Sequence, residues 1–224
     1  YQLTNTALSM TFTDVLSITS AFSGALPVIA VVLNYKRLDK VLRIAAAFFV
    51  ISALFDLGQA ITIKMGMVNN LHIIRLFLVI CLLFFSAIYY NAFFSRALKK
   101  TVVILSAIVL LIMILNVVFV DAIKDYPALP HTVLNIVLIF YSLAYFYQLL
   151  SRQEFVHIEK QGLFWINAGV LFYFSINIFL FMLFSRIIQA GQEDYLMIQS
   201  VTNIIANLLY TVGLLCKPQP QKTT

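Results

Sequence analysis

Long apolar runs, separated by short polar segments, are the main pattern along this chain. Seven such runs recur, at about residues 15–34, 42–63, 71–93, 101–120, 131–149, 163–187 and 195–216. Each is close to the ~20 residues that a helix needs to cross the hydrocarbon core of a bilayer. No run shows the polar and apolar alternation of a barrel strand, and backbone groups in lipid must pair internally. The pattern predicts an all-α, polytopic membrane protein, a bundle of seven transmembrane helices.

Composition strengthens this prediction. Residues of the hydrophobic class make up 62% of the 224 residues and charged residues 11%, whereas soluble domains average about 45–50% and about 25%. Every connection between runs is short, which leaves no room for a separate catalytic or DNA-binding domain. We therefore expect one seven-helix transmembrane domain over residues 1–224. The net charge of +6 lies mostly in inter-span loops, where lipid head groups explain it without nucleic acid.

The basic residues are distributed unequally between the two sets of loops. Four of the fifteen fall on one side of the predicted membrane: Lys64, Arg75, Lys124 and Arg186. The other eleven fall on the opposite side: Lys36, Arg37, Lys40, Arg43, Arg96, Lys99, Lys100, Arg152, Lys160, Lys217 and Lys222. Cytoplasmic loops carry an excess of Lys and Arg. This asymmetry predicts an external N-terminus and a cytoplasmic C-terminus.

The hairpin of the second and third spans carries the first candidate site. Asp56 is the only acidic residue deep within an apolar run, and Gln59 lies one turn nearer the external surface. An ionisable residue inside a membrane indicates a functional site by default. Antiparallel packing places Asp56 opposite approximately residue 77, within reach of Arg75, with His72 one turn closer to water. Alternatively, Arg75 and His72 extend to the interface and Asp56 takes hydrogen bonds from neighbours.

The seventh span carries a regular polar face. Its members recur at steps of four, four and three residues: Gln199, Asn203, Asn207 and Tyr210. Amide side chains that bond between helices stabilise a bundle in lipid, which is one interpretation. The other is the wall of a wet cavity shared with polar residues of other spans, namely Asp56, Asn135 and Asn177. Both interpretations remain open on sequence alone.

Two further spans carry patterns that indicate packing. The first span has small residues at spacings of four, Ser20 and Gly24 among them, which let another helix approach closely. Pro27 lies in the middle of that span and should interrupt it. On the fifth span, Asn135, Ser142 and Tyr145 share one side, which should face the interior of the bundle.

Motifs for catalysis or cofactor binding are few. The chain has no HExxH, GxSxG or Walker sequence and no paired-cysteine metal site. A retinal Schiff base needs a lysine in the seventh span, and the sequence has none between Lys160 and Lys217. We therefore expect no resident cofactor, no metal site and no enzymatic activity.

The sixth span reads FWINAGVLFYFS near its start, and the fifth ends in SLAYFYQLL. Together with Pro27, the basic segment NYKRLDKVLR, Asp56 and His72, these segments resemble a family of uncharacterised bacterial seven-span inner-membrane proteins. The resemblance covers nearly the whole chain. It implies seven helices and a multi-pass location in the bacterial plasma membrane. It assigns no activity and no catalytic residue.

These features favour a sensor or receptor-like module with an outward-facing polar cavity. The candidate ligand-binding residues are Asp56, Gln59, His72, Arg75, Gln199, Asn203 and Asn207. Besides the lipid bilayer, the expected partners are a small-molecule ligand and a separate membrane or cytoplasmic signalling protein, because the chain has no output domain. One alternative is a small-solute or proton-coupled transporter that uses Asp56. A second is an accessory or structural subunit of a membrane complex.

Overall fold

Helices account for nearly all of the chain that the structure describes. The computed structural model describes residues 11–65, 71–119, 127–151, 158–190 and 192–216. Side chains are described throughout these ranges except at 63–64, 181–190 and 192–194. The turn predicted between the second and third spans lies largely outside the described residues, at 66–70. So do four of the basic residues used to predict orientation: Lys124, Arg152, Lys217 and Lys222.

The helices, in chain order, are α1 (Phe12–Ser23), α2 (Ala25–Asn34), α3 (Lys40–Lys64), α4 (Leu71–Ala92), α5 (Arg96–Phe119), α6 (Ala128–Leu150), α7 (Gly162–Ala190) and α8 (Gln192–Leu215). Short 3-10 helices cover Tyr35–Arg37 and Ile158–Lys160. The first span is formed by α1 and α2 together, and α3 to α8 form the second to seventh. All seven are long and apolar enough to cross a membrane. The prediction of an all-α polytopic membrane protein with seven spans is confirmed.

The first span is interrupted in its middle. Its start is capped by Thr11, whose hydroxyl accepts the backbone N–H of Asp14, while the Asp14 carboxylate accepts the Thr11 N–H. Regular helix stops at Ser23 and resumes at Ala25. Pro27 explains the break, because its ring nitrogen has no hydrogen to donate to the Ser23 carbonyl one turn earlier. Gly24 keeps right-handed helical angles, with φ −61° and ψ −21°, so the chain continues in the same direction.

Two helices organise the packing of the others. The fourth helix contacts α3, α5 and α6, and its Phe85 and Tyr89 are almost fully buried. The eighth contacts α1, α2 and α7. The sixth and seventh helices also contact each other, which joins the two groups into one bundle. Aromatic rings fill the region around α4: the Phe85 ring lies 4.8 Å from that of Phe48 and 5.8 Å from that of Phe174.

The helices α7 and α8 meet through glycines. A Cβ built on Gly213 would lie 2.6 Å from the carbonyl oxygen of Gly162 and 2.8 Å from Cγ1 of Ile166. A Cβ built on Gly169 would lie 2.5 Å from the Tyr210 ring. Because lipid is as apolar as the helix surfaces, association in a membrane depends on close contact of this kind. The glycines allow α7 and α8 to approach until backbone touches backbone.

We predict that Gly213→Ala destabilises the bundle by about 1–3 kcal/mol, because the new methyl group meets a backbone carbonyl that cannot rotate away. Gly58→Ala in α3 is the matched control, since a Cβ there meets nothing within 4 Å and alanine favours a helix by about 1 kcal/mol. Thermal unfolding of the purified variants in detergent measures both. Equal melting temperatures for Gly213→Ala and the unaltered protein would contradict the close approach.

Candidate functional site

The polar face of α8 contacts the first span. The Asn203 amide donates to the Ser20 hydroxyl at 3.0 Å, and the Asn207 amide donates to the Ser23 hydroxyl at 2.9 Å. At the far end of the same interface, the Asn34 amide of α2 donates to the carbonyl oxygen of Leu214 at 2.7 Å. These three bonds hold α1, α2 and α8 together along their length. They match the interhelical interpretation of the polar face.

Two other members of that face are placed differently. Gln199 is half-buried, and within the described part of the chain its side chain makes no hydrogen bond. Tyr210 is buried between α3 and α7, with its ring 4.6 Å from that of Phe49 and against Gly169. Tyr210 therefore packs in the core, whereas Asn203 and Asn207 bind the first span.

The acidic side of the predicted hairpin site lies on the surface of α3. Asp56 is exposed, and among the described residues its carboxylate has no hydrogen bond or ion pair. Gln59 is half-buried, and its backbone carbonyl accepts the Thr62 hydroxyl at 2.9 Å. Asp56 is thus more exposed than Gln59, although the two lie one turn apart on α3.

The basic side of the hairpin lies elsewhere. His72 is exposed at the start of α4, and Arg75 is half-buried against α5 and α6. No hydrogen bond or ion pair joins Asp56 to Arg75 among the residues described. Reflection across the hairpin predicts the height of a residue along the helix pair but not the direction in which its side chain points. The structure therefore does not bring Asp56 and Arg75 together.

A cavity of about 220 Å³ lies between α4, α5 and α6, at the end where α6 begins. We call it the α4–α5–α6 cavity. Its walls are almost wholly apolar, and its only two polar lining residues in the described chain are Arg75 and Asn116. The side-chain oxygen of Asn116 is buried and has no hydrogen-bond partner within the described residues. Of the seven candidate residues, Arg75 alone lines this cavity.

Two hydrogen-bonded networks connect the same helices farther along α4, toward its C-terminal end. In the first, the Tyr89 hydroxyl of α4 donates to Oδ1 of Asn167 at 2.6 Å and lies 2.7 Å from the Ser142 hydroxyl. Asn167 closes the ring by donating to the Ser142 carbonyl at 3.2 Å. All three residues are buried. This network joins α4, α6 and α7.

The second network adds α5. The Ser106 hydroxyl lies 2.6 Å from that of Ser86 and 3.0 Å from that of Tyr141. Tyr141 donates in turn to the Val102 carbonyl at 3.0 Å. Sequence analysis identified Ser142 through the polar side of the fifth span but missed both tyrosines. Tyrosines in aromatic runs are indistinguishable from packing residues until their hydroxyls have partners.

Asn135 is the exception among the buried amides. It is fully buried, and neither polar atom of its side chain has a hydrogen-bond partner in the described part of the chain. Asn177, by contrast, donates to the Tyr173 carbonyl on its own helix at 2.8 Å. An unpaired buried amide costs about 1–3 kcal/mol. Asn135 therefore lowers the stability of the protein unless something else bonds to it.

Comparison with known proteins adds no assignment. No family model, no curated protein and no solved structure matches the chain. Within the described residues, no group of three or more His, Cys, Asp or Glu side chains is placed to hold a metal ion. The seven spans therefore stand on the length and apolarity of the helices, and no family is identified for the chain.

We predict a coupling of about 0.6–1.7 kcal/mol between Asn207 and Ser23, which runs from the mean to the largest value measured for hydrogen bonds between membrane helices. A double-mutant cycle with Asn207→Leu and Ser23→Ala measures it from unfolding free energies. The matched control pairs Gln199→Leu with Ser23→Ala, because Gln199 makes no hydrogen bond among the described residues. A coupling equal to that of the control would show that the hydrogen bond between Asn207 and Ser23 does not stabilise the folded protein.

We predict that Asn135→Leu raises the melting temperature, because it replaces an unpaired buried amide with an apolar side chain of the same branching and heavy-atom number. Asn167→Leu is the matched control and should destabilise, since it leaves the Tyr89 hydroxyl and the Ser142 carbonyl without their present partner. Both variants are compared by thermal unfolding in the same detergent. A lower melting temperature for Asn135→Leu would show that its amide is bonded in the folded protein.

Proposed function

We propose that this polytopic membrane protein is a sensor or receptor-like module. It binds a small amphiphilic carboxylate in the α4–α5–α6 cavity and reports occupancy to a separate signalling protein at the opposite membrane face. One observation carries the proposal. Of the three helices that line the cavity, α4 and α6 contribute to both buried networks and α5 contributes to the second.

The lining of the cavity defines the class of ligand. Apolar side chains such as Leu78, Leu110 and Met113 suit a hydrocarbon chain. A guanidinium group pairs with a carboxylate through charge-assisted hydrogen bonds, which are the strongest kind that Arg75 can offer. Asn116 adds an amide to the same lining. A medium-chain carboxylate satisfies all of these features.

The route from ligand to partner follows α4. Arg75 and Tyr89 are fourteen residues apart on this helix, which corresponds to about 21 Å at 1.5 Å per residue. A shift of α4 against α5 and α6 at the cavity would change the donor and acceptor distances at Tyr89 and Ser106. Packed helices respond to such shifts by moving between discrete arrangements. The two networks are the part of the structure through which binding of a ligand in the cavity would affect the opposite membrane face.

Orientation and location complete the proposal. The ends of the helices that carry the basic residues, near Lys40, Arg96 and Lys160, face the cytoplasm of a bacterial inner membrane. The N-terminus is then external. The cavity then opens in the external half and the networks lie nearer the cytoplasm. The chain acts as a single membrane domain of a bacterial seven-span family, without catalysis of its own. Its short basic segments contact the signalling partner.

We predict that octanoate binds the protein in lipid nanodiscs and that Arg75→Gln weakens this binding about tenfold or more, because a hydrogen bond to a charged group contributes about 1.5–3 kcal/mol. Arg96→Gln is the matched control: it makes the same substitution at an exposed residue at the far end of α5. Isothermal titration calorimetry measures both, with octanol as the uncharged ligand.

Two results would contradict the proposal. Equal affinities for octanoate and octanol would show that Arg75 does not bind the carboxylate of the ligand. Unchanged hydrogen exchange at the Tyr89 end of α4, measured with and without bound octanoate, would show that occupancy is not passed along the helix. In the second case the cavity would bind without signalling.

The transporter is the second candidate, and the interrupted first span favours it. Broken helices near the middle of the membrane are typical of carrier substrate sites. Here the break at Ser23 and Gly24 coincides with the Asn207 contact from α8. Flux of labelled octanoate into reconstituted vesicles distinguishes a carrier from a receptor, because a receptor binds the ligand without moving it.

A further inference from the structure

A second concave surface lies on the opposite end of the bundle from the α4–α5–α6 cavity. It has a volume of about 460 Å³, is widely open, and lies between the start of α3 and the later part of α4. We call it the α3–α4 groove. Its lining in the described chain is Leu38, Asp39, Lys40, Arg43, Ile44, Ala47 and Phe84. No residue is shared with the cavity of the proposed function.

The polar end of the groove carries two cations. Lys40 and Arg43 are exposed, and within the described residues neither is ion-paired with a carboxylate. Arg43 is held in place: its Nε donates to the Leu38 carbonyl at 2.9 Å, and its guanidinium lies 5.8 Å from the centre of the Tyr35 ring. The outer nitrogens of this guanidinium are left to bind an anion.

The single acid in the groove is already engaged. The Asp39 carboxylate accepts the backbone N–H of Leu42 at 2.8 Å, where it caps the start of α3. Two further cations, Lys36 and Arg37, lie on the adjoining 3-10 helix. The polar end of the groove is therefore positively charged overall, and an anion fits it better than a cation or a neutral group.

The rest of the groove is apolar and runs along α3 toward the middle of the span. Ile44 and Ala47 follow Lys40 and Arg43 at steps of four residues, so the four share one side of the helix. Phe84 forms the other wall, with its ring 5.9 Å from that of Phe48 beneath it. Ala47 is exposed and small, which opens space for a chain.

We propose that the α3–α4 groove is a binding site for an anionic phospholipid. Its phosphate lies between Lys40 and Arg43, and one acyl chain lies along Ile44, Ala47 and Phe84. The order of groups in the groove, cations at the helix end and apolar side chains toward the membrane centre, is the order of groups in a lipid. Basic residues at a membrane surface favour anionic over zwitterionic lipids.

The test uses the full chain in detergent, with lipid binding followed by native mass spectrometry. Dioleoyl phosphatidylglycerol and dioleoyl phosphatidylcholine share acyl chains and differ in net charge. We expect the first to bind at least about fivefold more tightly. Lys40→Gln with Arg43→Gln should reduce that binding about twenty-five-fold, because each basic residue near anionic lipid contributes about fivefold. Arg96→Gln with Lys100→Gln removes the same charges outside the groove and should leave the preference intact.

A second variant tests binding of the acyl chain of the lipid rather than binding of its charge. Ala47→Phe fills the apolar groove, keeps both cations, and should weaken binding of phosphatidylglycerol. Glycerol 3-phosphate, which has the charge but no chain, should not bind measurably. Thermal unfolding of each variant shows whether the bundle remains folded, since Arg43 also bonds Leu38.

Three outcomes would overturn the proposal. An equal loss of binding in the Arg96 and Lys100 control would mean that surface charge acts without a site. Binding of glycerol 3-phosphate as tight as that of the lipid would mean a phosphate site rather than a lipid site. Unaltered lipid binding by the folded Ala47→Phe variant would mean that the groove does not hold an acyl chain.

Discussion

Close contact between helices is the constraint on which this bundle depends. Lipid surrounds the helices with a medium as apolar as their own surfaces, so burial alone gives little reason for them to associate. The protein meets this constraint in two ways. Gly162 and Gly213 bring α7 and α8 into backbone contact, and Asn203 and Asn207 bind α8 to the first span. The eighth helix takes part in both, which makes it the anchor of one half of the molecule.

The other half is held by hydroxyl groups. Tyr89 and Tyr141 reach serines and an asparagine on neighbouring helices, where each hydroxyl finds a partner in the buried interior. Networks of this kind are stable when complete and costly when a member is missing. Asn135 lies on the same helix as Ser142 yet lacks partners among the described residues. The helix α6 therefore carries both a residue of a complete network, Ser142, and a buried amide without a partner among the described residues, Asn135.

The two concave surfaces differ in the chemistry they offer. The α4–α5–α6 cavity is smaller and partly open, and its described lining is apolar except for one guanidinium and one amide. The α3–α4 groove is wider and open, with two cations at one end. Arg75 and Arg43 thus serve different proposed ligands near opposite ends of the bundle. A small carboxylate fits the first and a phospholipid the second, and each can be tested without the other.

The class of the protein can be predicted from the amino-acid sequence alone. The lengths and apolarity of seven runs require membrane-spanning helices, because the bilayer has a fixed thickness and backbone groups within it must pair along each helix. The periodicity of α8 likewise predicted a polar face, and Pro27 predicted the break before it. These are local properties, in which each residue depends on neighbours a turn or two away.

Which polar groups meet depends on the tertiary structure. Asp56 and Arg75 have matching heights in the hairpin, yet no hydrogen bond or ion pair joins them among the described residues, and Arg75 lines the cavity formed with α5 and α6. Tyr89 and Asn167 are 78 residues apart in the chain, and they bond because α4 and α7 are brought together around α6. The rotation of each helix about its axis sets such pairs. That rotation follows from the packing of the whole bundle, which no single span encodes.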